Sequence, residues 1–259
     1  MDLSIIIVSV NSGHFLQPCL SSLQNGLAGL QAEIIMVDNL CGDDSAALTR
    51  GIFPDARIIR REQRCGFAQA NNIAAAQAVG RYLLLLNPDT EVRPGALPAL
   101  VRYLDTYPRV GIAGAQLLNP DGTLQYSCRT FPTVRSIFFR GLPFCPKSLR
   151  RQMVREYLML DWDHAKADSV DWVMGACLCA RRAAVNEVGL LDEGFFLYYE
   201  DIDWCYRMWQ QQWEVHYVPD AVVLHHHQRT SARSLFNRAT RIHLRSLLRL
   251  FTKHRRFRR

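Results

Sequence analysis

The chain has 259 residues and a formal charge of +7, from 31 Lys and Arg against 24 Asp and Glu. Hydrophobic residues at 49% and charged residues at 21% describe an ordinary globular protein and exclude a disordered or fibrous one. No apolar run reaches the roughly 18 residues that a transmembrane helix needs.

The N-terminus opens on Leu3–Val10 (LSIIIVSV), with no basic region or small-residue cleavage site ahead of it, so a signal peptide is not expected. This β-branched run is too short for a helix, and its near-continuous apolarity fits a strand buried on both faces. A helical stretch follows to about Leu23, then strands at Glu33–Asp38 (EIIMVD) and Ala56–Arg60, an Ala-rich helix at Ala68–Val79, and a strand at Arg81–Leu86. This βαβα rhythm predicts an α/β fold with a doubly wound, mostly parallel sheet. Beyond Asp89 the pattern predicts a helix at Pro94–Tyr103, a strand at Val110–Leu118 and a turn at Asn119–Gly122. The basic stretch from Arg129, with Pro132, Pro143 and Pro146, has no clean period and reads as an irregular excursion. Ser169–Ala180 reads as a strand, Arg181–Val188 and Asp201–Gln211 as helices, and Trp213–Val218 and Ala221–Leu224 as two short closing strands.

Cysteine and charge usage narrow the function classes. Eight cysteines (Cys19, Cys41, Cys65, Cys128, Cys145, Cys177, Cys179, Cys205) lie scattered without a CxxC pair, which argues for reduced cytosolic thiols rather than disulfides or a zinc site. The stretches Arg129–Arg155 and Arg229–Arg259 hold seven and eleven basic residues and no acid, which leaves the remainder at −11. A pI near 9.1 would by itself suggest nucleic acid, but an acidic body does not fit a nucleic-acid-binding fold.

Several predicted strands end in polar residues: Asn11, Asp38-Asn39 and Asn87-Pro88-Asp89. Open α/β sheets bind ligands at the carboxyl ends of their strands. A carboxylate there, such as Asp89, supplies the hard oxygen that Mg²⁺ or Mn²⁺ prefers. Asn, Asp and Pro are also ordinary turn residues, so no one of these endings is decisive. The segment DEGFFLYYEDIDWCYR (Asp192–Arg207) interleaves five carboxylates with Phe195, Phe196, Tyr198, Tyr199 and Trp204. Neighbouring carboxylates among aromatic rings raise one another's pKa, which poises a general base, and the ring faces suit sugars. The simpler reading, acids at a helix N-terminus, accounts for Asp203 but not for the aromatic density. His225-His226-His227 follows a predicted strand, where one imidazole could ligate a metal or all three could lie on the surface.

Together these residues resemble the family 2 glycosyltransferases of GT-A fold, in their rhamnosyltransferase-like branch, over about residues 3–231. The most specific block is Val170–Arg207, supported by IIIVSVNSG (Ile5–Gly13), VDNLCGDDS (Val37–Ser45), GFAQANN (Gly66–Asn72) and LLLLNPDT (Leu83–Thr90). The resemblance implies one glycosyltransferase domain over 1–228, with a nucleotide-sugar half (1–92) and an acceptor half (93–228), and a basic tail over 229–259. It implies that Asp38 hydrogen-bonds the nucleotide base and that Ser9, Asn11, Gly66, Phe67, Asn71 and Asn87 surround the donor. Asp89 and His225 are implied to hold a divalent cation, and Asp201 to act as general base with Glu200 beside it. Val10, Arg64 and Cys41 depart from the pattern.

The activity so implied is inverting transfer of a sugar, foremost rhamnose from dTDP-rhamnose, to a hydroxyl of a glycan or polyprenyl-diphosphate-linked acceptor. A UDP-sugar donor or a non-catalytic sugar-nucleotide binder are the alternatives. A nucleotidyltransferase would need a Gly-rich triphosphate loop near the N-terminus, and none is visible. In the tail, Arg238, Arg241, Arg245 and Arg249 share one helical face, and Leu244, Leu247, Leu248 and Phe251 form an apolar stripe. A basic amphipathic helix of this kind predicts peripheral attachment to the cytoplasmic face of a membrane.

Overall fold

Four parallel strands open the chain: β1 (Leu3–Ser9), β2 (Ala32–Asp38), β3 (Arg57–Arg60) and β4 (Tyr82–Leu86). All seven residues of β1 are buried, because helices cover both faces of the sheet at this point. Side chains alternate between those faces. Ile6, Val8, Val37, Leu83 and Leu85 enter one core, and Ile5, Ile7, Met36, Leu84 and Leu86 enter the other. Burial of each such side chain stabilises the fold by ~1.5–3 kcal/mol. Three helices connect these strands: α1 (Gly13–Gly26), α2 (Ser45–Ile52) and α3 (Phe67–Ala75). Leu16, Cys19, Leu20 and Leu23 recur at the helical period and form the buried stripe of α1.

The computed structural model describes residues 1–133, 136–137, 146–226 and 238–254. Pro143, Cys145, His227, the tail residues 229–237 and the last five residues of the chain lie outside the described residues.

The second half extends the sheet. It contributes β5 (Thr90–Val92), α4 (Ala96–Thr106), β6 (Val110–Leu118), β7 (Leu124–Gln125), β8 (Cys128–Arg129), α5 (Lys147–Tyr157), β9 (Asp168–Ser169), β10 (Trp172–Val173) and β11 (Cys177–Arg181). It closes with α6 (Arg182–Val188), α7 (Glu200–Gln210), β12 (Glu214–His225) and α8 (Arg238–Lys253). The strand order is β3-β2-β1-β4-β11-β6-β12-β5, with β7 on β6, β9 on β12, and β8 paired with β10 apart from the main sheet. β11 runs antiparallel to both β4 and β6, while β12 runs parallel to β6. The result is the mostly parallel α/β sheet expected, with an antiparallel insertion where the two halves meet.

Besides α2, β5, β7 and β8, which the sequence pattern does not mark, three segments differ from the sequence reading. Ser169–Ala180 is three short strands, because the chain turns at Met174–Ala176 out of the β8–β10 pair and into the main sheet. Trp213–Val218 and Ala221–Leu224 are one strand, β12, whose register on β6 shifts between Val218 and Val222. Pro219 has no N–H for the ladder, so the interruption that reads as a loop is a bulge. Within the basic excursion, Lys147–Tyr157 is a helix whose buried side is only Met153 and Tyr157. So narrow an apolar face among arginines leaves little periodic signal.

Candidate active site

Parallel pairing fixes where the polar strand ends meet. Ser9 lies opposite Asp38, Asp38 opposite Arg60, and Ile7 opposite Leu86, so the carboxyl ends of β1 to β4 open on one edge of the sheet. Asp38 is buried there, its Oδ1 accepting the Cys41 N–H at 2.8 Å and its Oδ2 the Arg60 Nε–H at 3.2 Å. The first loop is tied to the second: the Gly42 N–H donates to Asn11 Oδ1 at 2.7 Å, and Cys41 Sγ donates to Ser9 O at 3.2 Å. Ser9 itself is buried with its hydroxyl 3.0 Å from that of Ser45. Cys41, which departs from the family pattern, thus joins the two loops on which Ser9, Asn11 and Asp38 stand.

A third loop closes this edge. The Asn39 amide donates to Cys65 O at 3.0 Å and accepts the Cys65 N–H at 2.9 Å, which positions Gly66 and Phe67 at the start of α3. The Phe67 N–H then donates to Phe196 O at 2.7 Å. A Cβ on Gly66 would stand 2.8 Å from that carbonyl oxygen, so only glycine permits the approach. Asn71 is buried and turns its amide back onto Phe67 O at 2.8 Å, a contact that fixes the first turn of α3. Its neighbour Asn72, which the sequence does not single out, donates to Leu191 O at 2.8 Å and to Glu193 Oε1 at 3.1 Å. The Gly66–Phe67 loop and α3 are therefore tied directly to the aromatic-acidic segment.

After β4, the Asn87 N–H donates to Ala176 O at 2.9 Å, and one residue earlier the Gly175 N–H donates to Asp201 Oδ2 at 3.1 Å. Two consecutive residues thus join the Asp89 loop to Asp201. A Cβ on Gly175 would lie 3.6 Å from Asp201 Cβ and 4.0 Å from the Phe67 ring, so Phe67 borders the same space.

Asp89 and His225 come together because β12 pairs antiparallel with β5, with His225 opposite Thr90. Asp89 Oδ1 and His225 Nε2 are 3.5 Å apart. Gln125 donates its amide N–H groups to His225 O at 2.9 Å and Asn119 Oδ1 at 2.8 Å, leaving its Oε1 to accept from His225 Nδ1 at 2.9 Å. That tautomer directs Nε2 to Asp89 as an acceptor nitrogen. A carboxylate oxygen and an acceptor imidazole nitrogen facing one another fit the donor set of a divalent cation whose other positions a diphosphate and water complete. His226 turns away to Glu91 Oε1 at 2.6 Å, which separates its role from that of His225. No group of three protein ligands exists among the described residues.

The second pair of carboxylates begins α7. Tyr198 and Tyr199 both take φ of 69°, the left-handed region, and swing the chain so that Glu200 and Asp201 start the helix facing the sheet. Asp201 Oδ2 accepts from Gly175 and Oδ1 from the Ile202 N–H at 2.9 Å. Glu200 is 6% exposed, and its Oε2 has no hydrogen-bond partner among the described residues. Burial raises both carboxyls. For Glu200 the Asp201 charge adds to the effect and carries it well above the carboxylate range; for Asp201 the two backbone donors and the Arg129 charge offset part of it. Asp201 therefore gives up its proton before Glu200 does. Arg129, absent from the sequence-based set, is held over the rings of Trp172 and Tyr157 at 5.3 and 5.6 Å.

The family profile described as Glycosyl transferase family 2 matches residues 4–167, more than half of the chain. The chain belongs to this family. Among curated relatives of this glycosyltransferase, N-acetylglucosaminyl-diphospho-decaprenol L-rhamnosyltransferase of Mycobacterium tuberculosis is 28% identical over 244 residues, covering 89% of this chain and 78% of that one. Rhamnosyltransferase WbbL of Escherichia coli is 29% identical over 201 residues, covering 73% and 71%. Among solved structures, GalNAc-T7 with UDP, GalNAc and Mn²⁺ superposes with a TM-score of 0.66 at 20% identity, over 88% of this chain and 44% of that chain. The mannosyltransferase PcManGT of Pyrobaculum calidifontis, solved with GDP-Man and Mn²⁺, gives 0.62 at 16% identity over 88% and 58%. The chain spans about half the length of these two solved relatives. The expected GT-A fold and rhamnosyltransferase-like membership of family 2 are thus borne out.

Proposed function

We propose that this glycosyltransferase moves a sugar, foremost rhamnose from dTDP-rhamnose, to a hydroxyl of a lipid-diphosphate-linked glycan by a single inverting displacement. The observation that carries the reading is the join at Gly175–Ala176, which links the Asp89 loop and Asp201 through consecutive residues. The named activity of the Mycobacterium tuberculosis relative, L-rhamnosyl transfer to N-acetylglucosaminyl-diphospho-decaprenol, supports the donor and acceptor class. Residues 1–92 would supply the donor half and 93–228 the acceptor half.

Asp38 would accept a hydrogen bond from the nucleotide base, with Ser9 and Asn11 shaping that loop and Gly66, Phe67, Asn71 and Asn87 bordering the sugar. Asp89 and His225 would hold Mg²⁺ or Mn²⁺, which when bound offsets charge on the leaving nucleoside diphosphate. Asp201, ionised because its backbone donors favour the charged form, would take the proton from the acceptor hydroxyl as that oxygen attacks the anomeric carbon. Glu200, protonated beside it, keeps a second negative charge away from the incoming hydroxyl. A UDP-sugar is the second donor reading, supported by the UDP held by GalNAc-T7.

The test is release of nucleoside diphosphate from a panel of dTDP-, UDP- and GDP-sugars, with and without EDTA. Turnover of dTDP-rhamnose that EDTA abolishes is expected. Turnover of none of the panel overturns the proposal, and turnover of UDP-sugars alone establishes the second reading.

A further inference from the structure

Helix α8 carries Arg241, Arg245, Arg249 and Lys253 at successive intervals of four, one ridge along its length. The C-terminal two are engaged: Arg249 donates to Asp192 Oδ1 at 2.8 Å, and Lys253 to Asp192 Oδ2 at 2.6 Å and Asp203 Oδ1 at 2.7 Å. The N-terminal two have no acidic partner among the described residues. Arg241 and Arg245 instead line a groove of about 500 Å³ with Ile242, Ser246, Gly194 and Phe196. That size suits a small-molecule site.

The groove adjoins the candidate active site through one residue. Phe196, on its wall, takes the Phe67 N–H on its carbonyl and packs against Gly66. The Arg249 guanidinium lies so close over Gly194, on the groove wall, that any Cβ there would overlap it. Ser246 donates to Leu197 O at 2.8 Å and pins the helix to this loop. Leu244 and Leu248, 55% and 57% exposed on the same helix, lie beside the two arginines. Two guanidiniums of one sign over a small cavity, with apolar side chains next to them, match a diphosphate followed by a hydrocarbon chain.

We propose that Arg241 and Arg245 bind the diphosphate of the lipid-linked acceptor, holding its sugar towards Asp201 while the lipid leaves past Leu244 and Leu248. This deepens the transferase reading and rests on it. The shared chemistry, a phosphate on a lipid, has a second source in the anionic headgroups of a membrane, and the experiment separates the two.

Binding of farnesyl diphosphate and of farnesol to the full chain is measured by calorimetry in EDTA, so that the donor's cation-dependent diphosphate site does not compete. The Arg241→Gln/Arg245→Gln variant is expected to weaken farnesyl diphosphate binding about tenfold or more, as loss of two charge-assisted contacts implies. Farnesol binding should not change, nor should Arg50→Gln alter either ligand. Arg249→Gln separates a folding effect, since it should lower the thermal midpoint yet keep affinity within threefold. No binding by the native chain, or equal affinity in the double variant, overturns the assignment. Retained diphosphate affinity with lost sedimentation on phosphatidylglycerol vesicles also overturns it, in favour of the membrane surface. The readout needs no donor: probe binding without donor turnover sinks the transferase reading, and donor turnover without probe binding sinks this site alone.

Discussion

Two backbone N–H groups and the Arg129 charge favour the ionised form of Asp201, whereas Glu200 is buried with one oxygen lacking any such donor. The pair therefore titrates in order, Asp201 first. Transfer should fall on an acid limb set by Asp201, displaced upward from the usual carboxylate range by burial. Asp201→Asn should lower kcat by ~10²–10⁴ with donor affinity retained. Glu200→Gln should leave the acid limb where it is, because Glu200 is still neutral when Asp201 ionises; a downward shift of a full pH unit would reverse the assigned order. Stability adds an independent check. A carboxyl whose folded pKa is raised contributes stability at low pH that is lost as pH rises through that value. Native protein should thus lose stability relative to Glu200→Gln as pH rises above the ordinary carboxylate range, measured by urea titration. Gly66→Ala should cost ~1–3 kcal/mol by forcing Phe196 and α3 apart, and should raise the KM for donor.

Alongside the apolar packing of Leu250 and Phe251, a charged clamp holds α8 to α7. Asp203 is fully buried and accepts from Arg207 at 2.8 Å, His254 at 2.7 Å and Lys253 at 2.7 Å. Burial would raise its pKa, but the His254 hydrogen bond and the Arg207 and Lys253 charges outweigh that and hold it below the usual range. Asp192, opposed by burial but hydrogen-bonded by Lys253, the Gly194 N–H and Arg249, lies at about 2. Both depressed groups contribute stability that is complete above the unfolded value of about 3.9 and lost as pH falls from there towards 2. Asp203→Asn should cost ~3–5 kcal/mol at pH 7, the penalty of leaving a buried cation cluster uncompensated, and should flatten the loss of stability between pH 4 and 2. The legible elements were those with a strong period or a double burial: β1, β2 and β4 read as strands because both faces are covered. The clamp was illegible because, Arg207 apart, the partners of Asp203 lie about fifty residues further along the chain and are polar. The arginine face of α8 was legible, yet its division was not. Leu250, outside the predicted apolar stripe, is fully buried and Phe251 packs against the core, whereas Leu247 is half-buried and Leu244 and Leu248 stay exposed, a split that depends on where the helix lands. Asp89 and His225 were legible as candidates, but their meeting follows from the β5–β12 register, which no local pattern encodes.

The charge of the whole chain divides between a body at −11 and two basic stretches at +18, and the second stretch contains α8. No helix among the described residues is long and apolar enough to cross a membrane. The lipid-linked acceptor proposed above would require the protein to reach a bilayer surface, and we propose that α8 provides the contact, on the cytoplasmic face. Its attraction should have two parts of different character. The basic part contributes ~1 kcal/mol per residue near an anionic surface and weakens as salt shortens the Debye length. The apolar part, from burying Leu244 and Leu248 among acyl chains, is insensitive to salt and is worth ~1.5–3 kcal/mol for each side chain. Co-sedimentation with phosphatidylglycerol vesicles should therefore fall with added salt but not vanish, and should be weak on phosphatidylcholine. Leu244→Ser/Leu248→Ser changes only exposed side chains, so the fold should be kept while the salt-resistant fraction is lost. If that fraction persists in the variant, the helix does not enter the bilayer, and the acceptor must be presented by another part of the chain.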